Sequence, residues 1–541
     1  MQAETKARIV QASAAHLKPD ARLVYGTAGF RTKAELLDST CFRIGLIGAL
    51  RSMALGGQVV GLMVTASHNP EPDNGVKMVD AHGEMLEASW EPVCTKIANA
   101  STPDELLAEL DNVVSTFKVD VGVRPRVVYA WDTRPSSPAL VGAIVDGLQA
   151  FDTEKVEGGL LTTPQLHYLV LALNTQGTPD AYGVPTEEGY YEKLGKAYLA
   201  ATEGLPAPVP LAVDCANGVG AKALQGLMHH VPAERLPLIP LRTEMHAPGK
   251  LNDQCGADFV KTQQKLPTGY ASEDAVKPNA LLCSYDGDAD RIVFYYLSGP
   301  ASDAASFHLL DGDKIASLAA DYLSELVKTA GLDIKLGCVQ TAYANGASTK
   351  YLSERVPVSC TPTGVKHLHH EAAKYAIGVY FEANGHGTVL FSPDARAAMK
   401  AAQPSTPEAK QALVRLENMA ELINQTVGDA LSDMLMVLAI LAARRWGPAE
   451  WDASYTDLPN KLLKVQVPDR TQFKTTDAER RLTAPDGLQA KIDALVANFT
   501  QGRSFVRPSG TEDCVRVYAE AATADETQAL AKQVAELVES A

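Results

Sequence analysis

Four times along this 541-residue chain a short apolar run stops in a polar turn that carries an acid. Arg126–Trp131 leads into Asp132-Thr133-Arg134-Pro135, residues 211–213 into Asp214-Cys215-Ala216-Asn217-Gly218, Leu281–Tyr285 into Asp286-Gly287-Asp288, and Ile377–Phe381 into Glu382-Ala383-Asn384-Gly385. Runs this short, rich in β-branched and aromatic residues, read as strands. Helix-like pattern follows the turns, so the runs predict α/β units built around mixed or mostly parallel sheets. Their recurrence hints at repeated α/β domains, although no internal identity is strong enough to define a sequence repeat.

A chain of this length exceeds a single core and predicts roughly three to four domains of about 100–200 residues each. Residues 202–208 and 298–306 read as linkers, and residues 427–443 as a long apolar helix stopped by Trp446-Gly447-Pro448. Beyond it the pattern changes: residues 514–520 alternate as a half-buried strand, and Leu530, Val534, Leu537 and Val538 form one face of a terminal helix. The expected partition is 1–203, 204–300, 301–445 and a smaller α+β domain at 446–541.

Composition excludes several classes. With 46% apolar and 21% charged residues the chain can fill sizeable cores and is not disordered. Acids outnumber bases 65 to 49, a net charge of −16 that repels polyanions, so neither nucleic acid nor an anionic membrane is an expected partner. A small phosphorylated ligand stays compatible wherever Arg and Lys are concentrated locally. The eight cysteines are scattered, with no CxxC pair, as free thiols of a reducing compartment are. No targeting signal or membrane-length apolar run is present, so a soluble, cytoplasmic protein is expected.

Ser67 follows the apolar run 58–64 in Thr65-Ala66-Ser67-His68-Asn69-Pro70, where a small-residue turn would present its hydroxyl at a strand's carboxyl end. A plain tight turn is the competing reading. Asp286, Asp288 and Asp290, at i, i+2 and i+4 between apolar runs, would repel strongly without a cation, and all-oxygen ligation points to Mg²⁺. An EF-hand fails, because its sixth and twelfth positions would be Arg291 and Leu297. A haloacid-type phosphatase with Asp286 as nucleophile, and a solvated acidic turn, stay as alternatives.

Arg507-Pro508-Ser509-Gly510-Thr511-Glu512 joins a guanidinium, two hydroxyls and a glycine in a loop suited to phosphate, with Arg516 as a second cation and an ordinary Pro-Ser-Gly turn as the competing reading. Glu382, Asn384 and His386 in Glu-Ala-Asn-Gly-His-Gly suit sugar hydroxyls or an amide, with a glycine turn as the alternative. Gly26-Thr27-Ala28-Gly29-Phe30-Arg31 is a weak phosphate-loop match, and His367-Leu368-His369-His370 lacks a cysteine partner for zinc.

In this order, over residues 25–520, the four segments resemble the α-D-phosphohexomutase superfamily, and most of all its N-acetylglucosamine branch, to which the Glu382 loop and Thr363-Gly364-Val365-Lys366-His367 are similar. The resemblance implies three related α/β domains plus a smaller C-terminal α+β phosphate-binding domain around a central cleft. It implies Ser67 as the phosphoserine, and Mg²⁺ on Asp286, Asp288, Asp290 and the Ser67 phosphoryl group. Lys77 would be general acid/base, with His68, Arg31 and Arg291 lining the phosphoryl site. Thr363, Gly364, Glu382, Asn384 and His386 would contact the sugar, and Arg507, Ser509, Gly510, Thr511 and Arg516 the distal phosphate. The implied reaction interconverts N-acetylglucosamine 6- and 1-phosphate through a 1,6-bisphosphate, in a monomer supplying UDP-N-acetylglucosamine synthesis. A glucose- or mannose-phosphate mutase and a non-catalytic sugar-phosphate binder are the alternatives. Ser67 comes only 42 residues after Tyr25, early for the superfamily at large, which leaves the first domain's topology open.

Overall fold

The computed structural model describes residues 1–509 and 514–541, which form two compact units. One comprises Met1–Leu309 with Glu421–Arg445, the other Leu310–Ala420 with Trp446–Ala541.

The first unit holds two five-stranded sheets. In one, the strands lie in the order Phe30–Lys33, Asp73–Val79, Val59–Val64, Arg126–Trp131, Glu154–Leu160. Val59–Val64, Arg126–Trp131 and Glu154–Leu160 are parallel neighbours, while Asp73–Val79 is antiparallel to Val59–Val64. Every residue of Val59–Val64 is buried, as expected of a strand covered on both faces. A Cβ on Gly61 would meet Val170 of helix Thr163–Thr175, whereas Leu62 meets Gly48 of helix Asp38–Ala54. Successive strand residues point oppositely, so these two helices cover opposite faces. Helix Asp38–Ala54 crosses Ser137–Gln149 closely enough that a Cβ on Gly45 would lie 2.3 Å from the Ile144 carbonyl oxygen. Only glycine avoids that overlap.

The second sheet runs Phe307–Leu310, Ile292–Leu297, Leu281–Tyr285, Leu211–Asp214, Leu238–Leu241. Its last three strands are parallel, and Ile292–Leu297 is antiparallel to Leu281–Tyr285. The expected apolar helix spans Ala430–Arg444 in this unit and is buried throughout residues 430–442, packing against helix Glu187–Ala201. It begins after 427 because the Asp429 side chain caps it, and it ends where Arg445 turns left-handed.

In the second unit, Val358–Thr361, Leu336–Thr341 and Ile377–Phe381 are parallel and Gly387–Phe391 is antiparallel to the last. A three-stranded antiparallel sheet of Asn460–Gln466, Cys514–Glu520 and Arg503–Pro508 follows. Helix Ala524–Glu539 covers it with Leu530, Val534 and Val538 buried and Leu537 partly so, the expected α+β arrangement.

The three larger sheets repeat one plan: three parallel strands, the outermost of which turns back into an antiparallel neighbour. The turns are those after Val59–Val64, Leu281–Tyr285 and Ile377–Phe381. Chain order differs between them. In the first sheet this hairpin precedes the two other parallel strands, and in the second and third it follows them. The spatial plan is therefore shared while the first sheet is circularly permuted, which accounts for Ser67 arriving so early. All eight cysteines are free, seven of them buried and Cys360 half-buried. No described helix is long and apolar enough to cross a membrane.

Candidate active site

Each hairpin turn of the repeated plan carries one of the polar segments. After Val59–Val64 the chain enters the Ser67 loop, where Ser67 has φ +52° and is 1% exposed. The Thr65 hydroxyl accepts the Ser67 amide at 2.9 Å and donates to Asp132 at 2.7 Å. Arg134 donates to the carbonyls of Ser67 at 3.2 Å and Asn69 at 2.6 Å, and the Asn252 amide donates to the same two carbonyls at 2.9 and 3.1 Å. A left-handed serine persists only where its surroundings over-determine it, and these donors do so. Sequence reasoning missed Arg134 and Asn252. Arg134 carried a signal: it follows Arg126–Trp131, the parallel neighbour of the serine's own strand, and strand ends gather at one edge. Asn252 carried none.

The second hairpin turn, 286–291, holds the acid triad. Its possible ligand atoms lie within 4.8 Å of one another, and all three side chains are buried. Asp286 Oδ1 accepts the amides of Asp290 at 3.1 Å and Arg291 at 3.2 Å, and Ala289 takes φ +56° between the other two acids. Asp286 Oδ2 accepts the Ser67 hydroxyl at 2.6 Å. Lys77, on the strand antiparallel to the serine's, places Nζ 3.2 Å from both Asp288 and Asp290. Thr163, also missed from sequence, donates its hydroxyl to Asp288 Oδ2 at 2.6 Å.

Electrostatics follow from this crowding. Burial, then Asp290 and Asp288, hold the Asp286 carboxyl well above its ordinary range. Burial and Asp290 also push Asp288 up, but Lys77, the Thr163 hydroxyl and Arg31 outweigh them and leave it low. Burial lowers Lys77, yet Asp288 and Asp290 win and raise it. His68 accepts from Arg291 at Nδ1 across 2.8 Å, and burial, then Arg291 and Arg31, depress it to about 3. Arg31 reaches Asn69 at 3.5 Å. The glycine segment before it is a tight turn, Gly26 and Gly29 exchanging backbone hydrogen bonds, rather than a phosphate loop.

The acceptor Asp288 Oδ1 and the donor Arg31 Nε, both buried in this cluster, have no hydrogen-bond partner among the described residues. Buried polar atoms are normally satisfied, so an orphan acceptor beside an orphan donor is what a cation and a phosphoryl group would complete. Three buried carboxylates form a hard-oxygen donor set that fits Mg²⁺. In the first unit the fold thus brings together Ser67, His68, Lys77, Arg31, Arg291 and the triad.

The remaining selected residues lie in the second unit. The third hairpin turn is tight: Glu382 N donates to His386 O at 2.8 Å, Gly385 N to Glu382 O at 2.9 Å, and His386 N to Asn384 Oδ1 at 3.0 Å. Gly385 has φ +86°, and His386 is buried. The segment is thus a constrained glycine turn, whose side chains are presented from a fixed backbone. Thr363 donates its amide at 2.9 Å and its hydroxyl at 2.6 Å to Glu479, whose other oxygen lies 3.1 Å from Arg507 Nε. Glu479 therefore ties the Thr363-Gly364 turn to Arg507, a link invisible in the sequence. Arg507 and Arg516 stand directly opposite on paired strands, a like-charge juxtaposition that favours an anion nearby. Ser509 N donates to Cys514 O at 2.9 Å, while Gly510 and Thr511 lie outside the described residues. The 367–370 histidines sit at helix Val365–Ala372, with His369 against the Tyr380 hydroxyl at 3.0 Å. The Asp triad is the metal-type cluster found among the described residues.

Family profiles cover most of the chain. Those for phosphoacetylglucosamine mutase AMG1 match at residues 180–293 for domain II and 311–446 for domain III. Those for phosphoglucomutase/phosphomannomutase match at 49–105 and 96–178 for the alpha/beta/alpha domain I, and at 462–537 for the C-terminal domain. The chain is 48% identical to phosphoacetylglucosamine mutase of Candida albicans, over 97% of each chain. It is 49% identical to that of Homo sapiens, over 97% of this chain and 96% of the relative. A crystal structure of Aspergillus fumigatus N-acetylphosphoglucosamine mutase with GlcNAc-6P and magnesium superposes with a TM-score of 0.95 at 48% identity, covering 100% of this chain and 99% of the other. By its sequence, its four matched domains and its fold, the chain belongs to the phosphoacetylglucosamine mutase family.

Proposed function

We propose that the chain interconverts N-acetylglucosamine 6-phosphate and N-acetylglucosamine 1-phosphate, with Ser67 as the phosphate carrier. The observation that carries this is the Ser67 hydroxyl bonded to Asp286 inside the buried triad, ringed by Lys77, Arg31 and Arg291. A phosphoserine dianion beside three carboxylates needs that concentration of positive charge. Bound to Asp286, Asp288, Asp290 and the phosphoryl group, Mg²⁺ would supply further charge withdrawal from the phosphoryl oxygens.

In the forward direction the Ser67 Oγ–P bond breaks as the sugar O1 bonds to phosphorus. For Lys77 to carry the proton, its ammonium would give one to Ser67 Oγ and take the O1 proton in exchange, so that it ends the step charged as it began. The 1,6-bisphosphate then turns around. Ser67 Oγ attacks the phosphorus at C6, the O6–P bond breaks, and O6 takes the proton, so no phosphate is consumed. Arg31 and Arg291 steady the moving phosphoryl group, and Arg134 with Asn252 hold the Ser67 backbone. His68, neutral and accepting from Arg291, orients that guanidinium. Glu382, Asn384 and His386 would recognise the sugar and its N-acetyl group. Thr363 and Gly364 would join them at the sugar, while Arg507, Ser509, Gly510, Thr511 and Arg516 would hold the phosphate that is not reacting. The partition 1–203, 204–300, 301–445 and 446–541, a monomeric state, a cytoplasmic location and supply of UDP-N-acetylglucosamine synthesis belong to the same proposal.

The test follows N-acetylglucosamine 6-phosphate, glucose 6-phosphate and mannose 6-phosphate by phosphorus NMR with Mg²⁺ and a trace of hexose 1,6-bisphosphate. The acetylated sugar should be converted with the highest kcat/KM, without release of inorganic phosphate. Net phosphate release, or a preference for glucose or mannose phosphate, would overturn it.

A further inference from the structure

The metal loop is gripped from outside its own hairpin. Ala289, between Asp288 and Asp290, is a non-glycine residue held left-handed at φ +56°. Such a conformation needs external support. Its carbonyl accepts the Ala430 amide at 3.1 Å, from the first turn of helix Ala430–Arg444. One turn later Met434 Sδ accepts the Tyr285 hydroxyl at 3.0 Å, and Tyr285 immediately precedes Asp286. One buried helix, some 140 positions further along the chain, thus touches the triad-bearing segment at two points, just before Asp286 and between Asp288 and Asp290.

What points the Ala430 amide at Ala289 is the helix cap. Asp429 Oδ1 accepts the next two amides, Leu431 at 3.1 Å and Ser432 at 3.2 Å, which leaves the Ala430 amide for the loop. Asp429 is fully buried and is itself fixed by the Tyr190 hydroxyl, 2.9 Å from both carboxylate oxygens, and by the Asn424 amide at 2.8 Å. A cap held this firmly sets the helix start to within the tolerance of a hydrogen bond.

We infer that Asp429, locked by Tyr190 and Asn424, is a positioning residue for the Asp286–Asp288–Asp290 metal centre, acting through the Ala430–Ala289 hydrogen bond. It touches neither substrate nor metal. Residues that orient metal ligands in this way typically change metal affinity by about 10–100-fold when removed. The inference rests on the proposed role of the triad as a metal site but not on the reaction.

The test measures Mn²⁺ affinity of the full-length protein directly, by electron paramagnetic resonance, alongside amide hydrogen exchange of residues 286–291. Asp429→Ala should weaken Mn²⁺ binding about tenfold or more and speed exchange in that loop, with sugar-phosphate KM unchanged at saturating metal. Asp429→Asn, which keeps a capping oxygen, should restore most of the affinity. Tyr190→Phe, which leaves the cap in place but unlocked, should cost a few-fold and decides the matter should Asp429→Ala not fold. Unchanged Mn²⁺ affinity and loop exchange in folded Asp429→Ala or in Tyr190→Phe would overturn the inference. Wild-type protein that binds Mn²⁺ but turns over no sugar phosphate would instead count against the proposed reaction alone.

Discussion

The Ser67 hydroxyl donates a 2.6 Å hydrogen bond to Asp286 Oδ2, across 219 positions of the chain. Both residues occupy the same place in two sheets of one plan, the turn between the outermost parallel strand and its antiparallel partner. The shared plan turns two remote segments into one cluster, because equivalent hairpins deliver their polar turns at equivalent strand ends. The cluster's charge balance then dictates how it responds to change.

Lys77→Met leaves Asp288 and Asp290 without their ammonium partner at 3.2 Å. Breaking one side of a buried pair costs about 3–5 kcal/mol. Thermal denaturation in EDTA should show the variant clearly less stable than wild type, and added Mg²⁺ should recover more stability in the variant than in wild type. Equal melting of both proteins in EDTA would show that Lys77 does not carry this balance.

Arg507→Ala removes one of two guanidinium groups that face each other across paired strands. A charged hydrogen bond is worth about 1.5–3 kcal/mol, so KM for the sugar phosphate should rise by about 10–100-fold. Arg507→Lys should recover little of it, since an ammonium lacks the guanidinium fork. Steady-state kinetics with all three proteins checks the order.

Asn384 lies at the tip of the third hairpin, its side chain turned onto the His386 amide at 3.0 Å. Asn384→Ala should lower kcat/KM for N-acetylglucosamine phosphate about tenfold more than for glucose phosphate, the size expected for one lost polar contact to the acetamide. A parallel fall for both sugars would remove Asn384 from acetyl recognition and leave it a turn residue.

His369 adds a pH dependence to the second unit's stability. Burial, then His370, depress its pKa from 6.5 to about 4, so the folded state favours the neutral ring. Its contribution is fully present above pH 6.5 and is lost as the pH falls towards 4, to a total of about 3 kcal/mol. Urea denaturation at neutral and at mildly acidic pH should show wild type losing more stability than His369→Gln. Identical acid sensitivity would show that another group dominates.

Local signals in the sequence were enough for the strands and for the acid triad. Val59–Val64 and Leu281–Tyr285 are buried on both faces and read as continuous apolar runs, and three acids at alternate positions have few uses other than holding a cation. The circular permutation of the first sheet was not legible, because hairpin and parallel crossovers use the same strand vocabulary in either order. Nor were Asn252, Thr163 and Glu479, single polar residues whose partners lie 116 to 185 positions away. The apolar helix after 427 was legible as buried, but the use of its first amide on Ala289 depends on packing that no period encodes.

The most direct test of the account is intact-mass analysis of wild type and Ser67→Ala after exposure to hexose 1,6-bisphosphate and Mg²⁺, with turnover followed in the same samples. Wild type should carry a single phosphoryl group on the peptide containing Ser67, and the variant should carry none and lose activity by about four orders of magnitude or more. A fully active Ser67→Ala, or a phosphoryl group located on Asp286 instead, would contradict it.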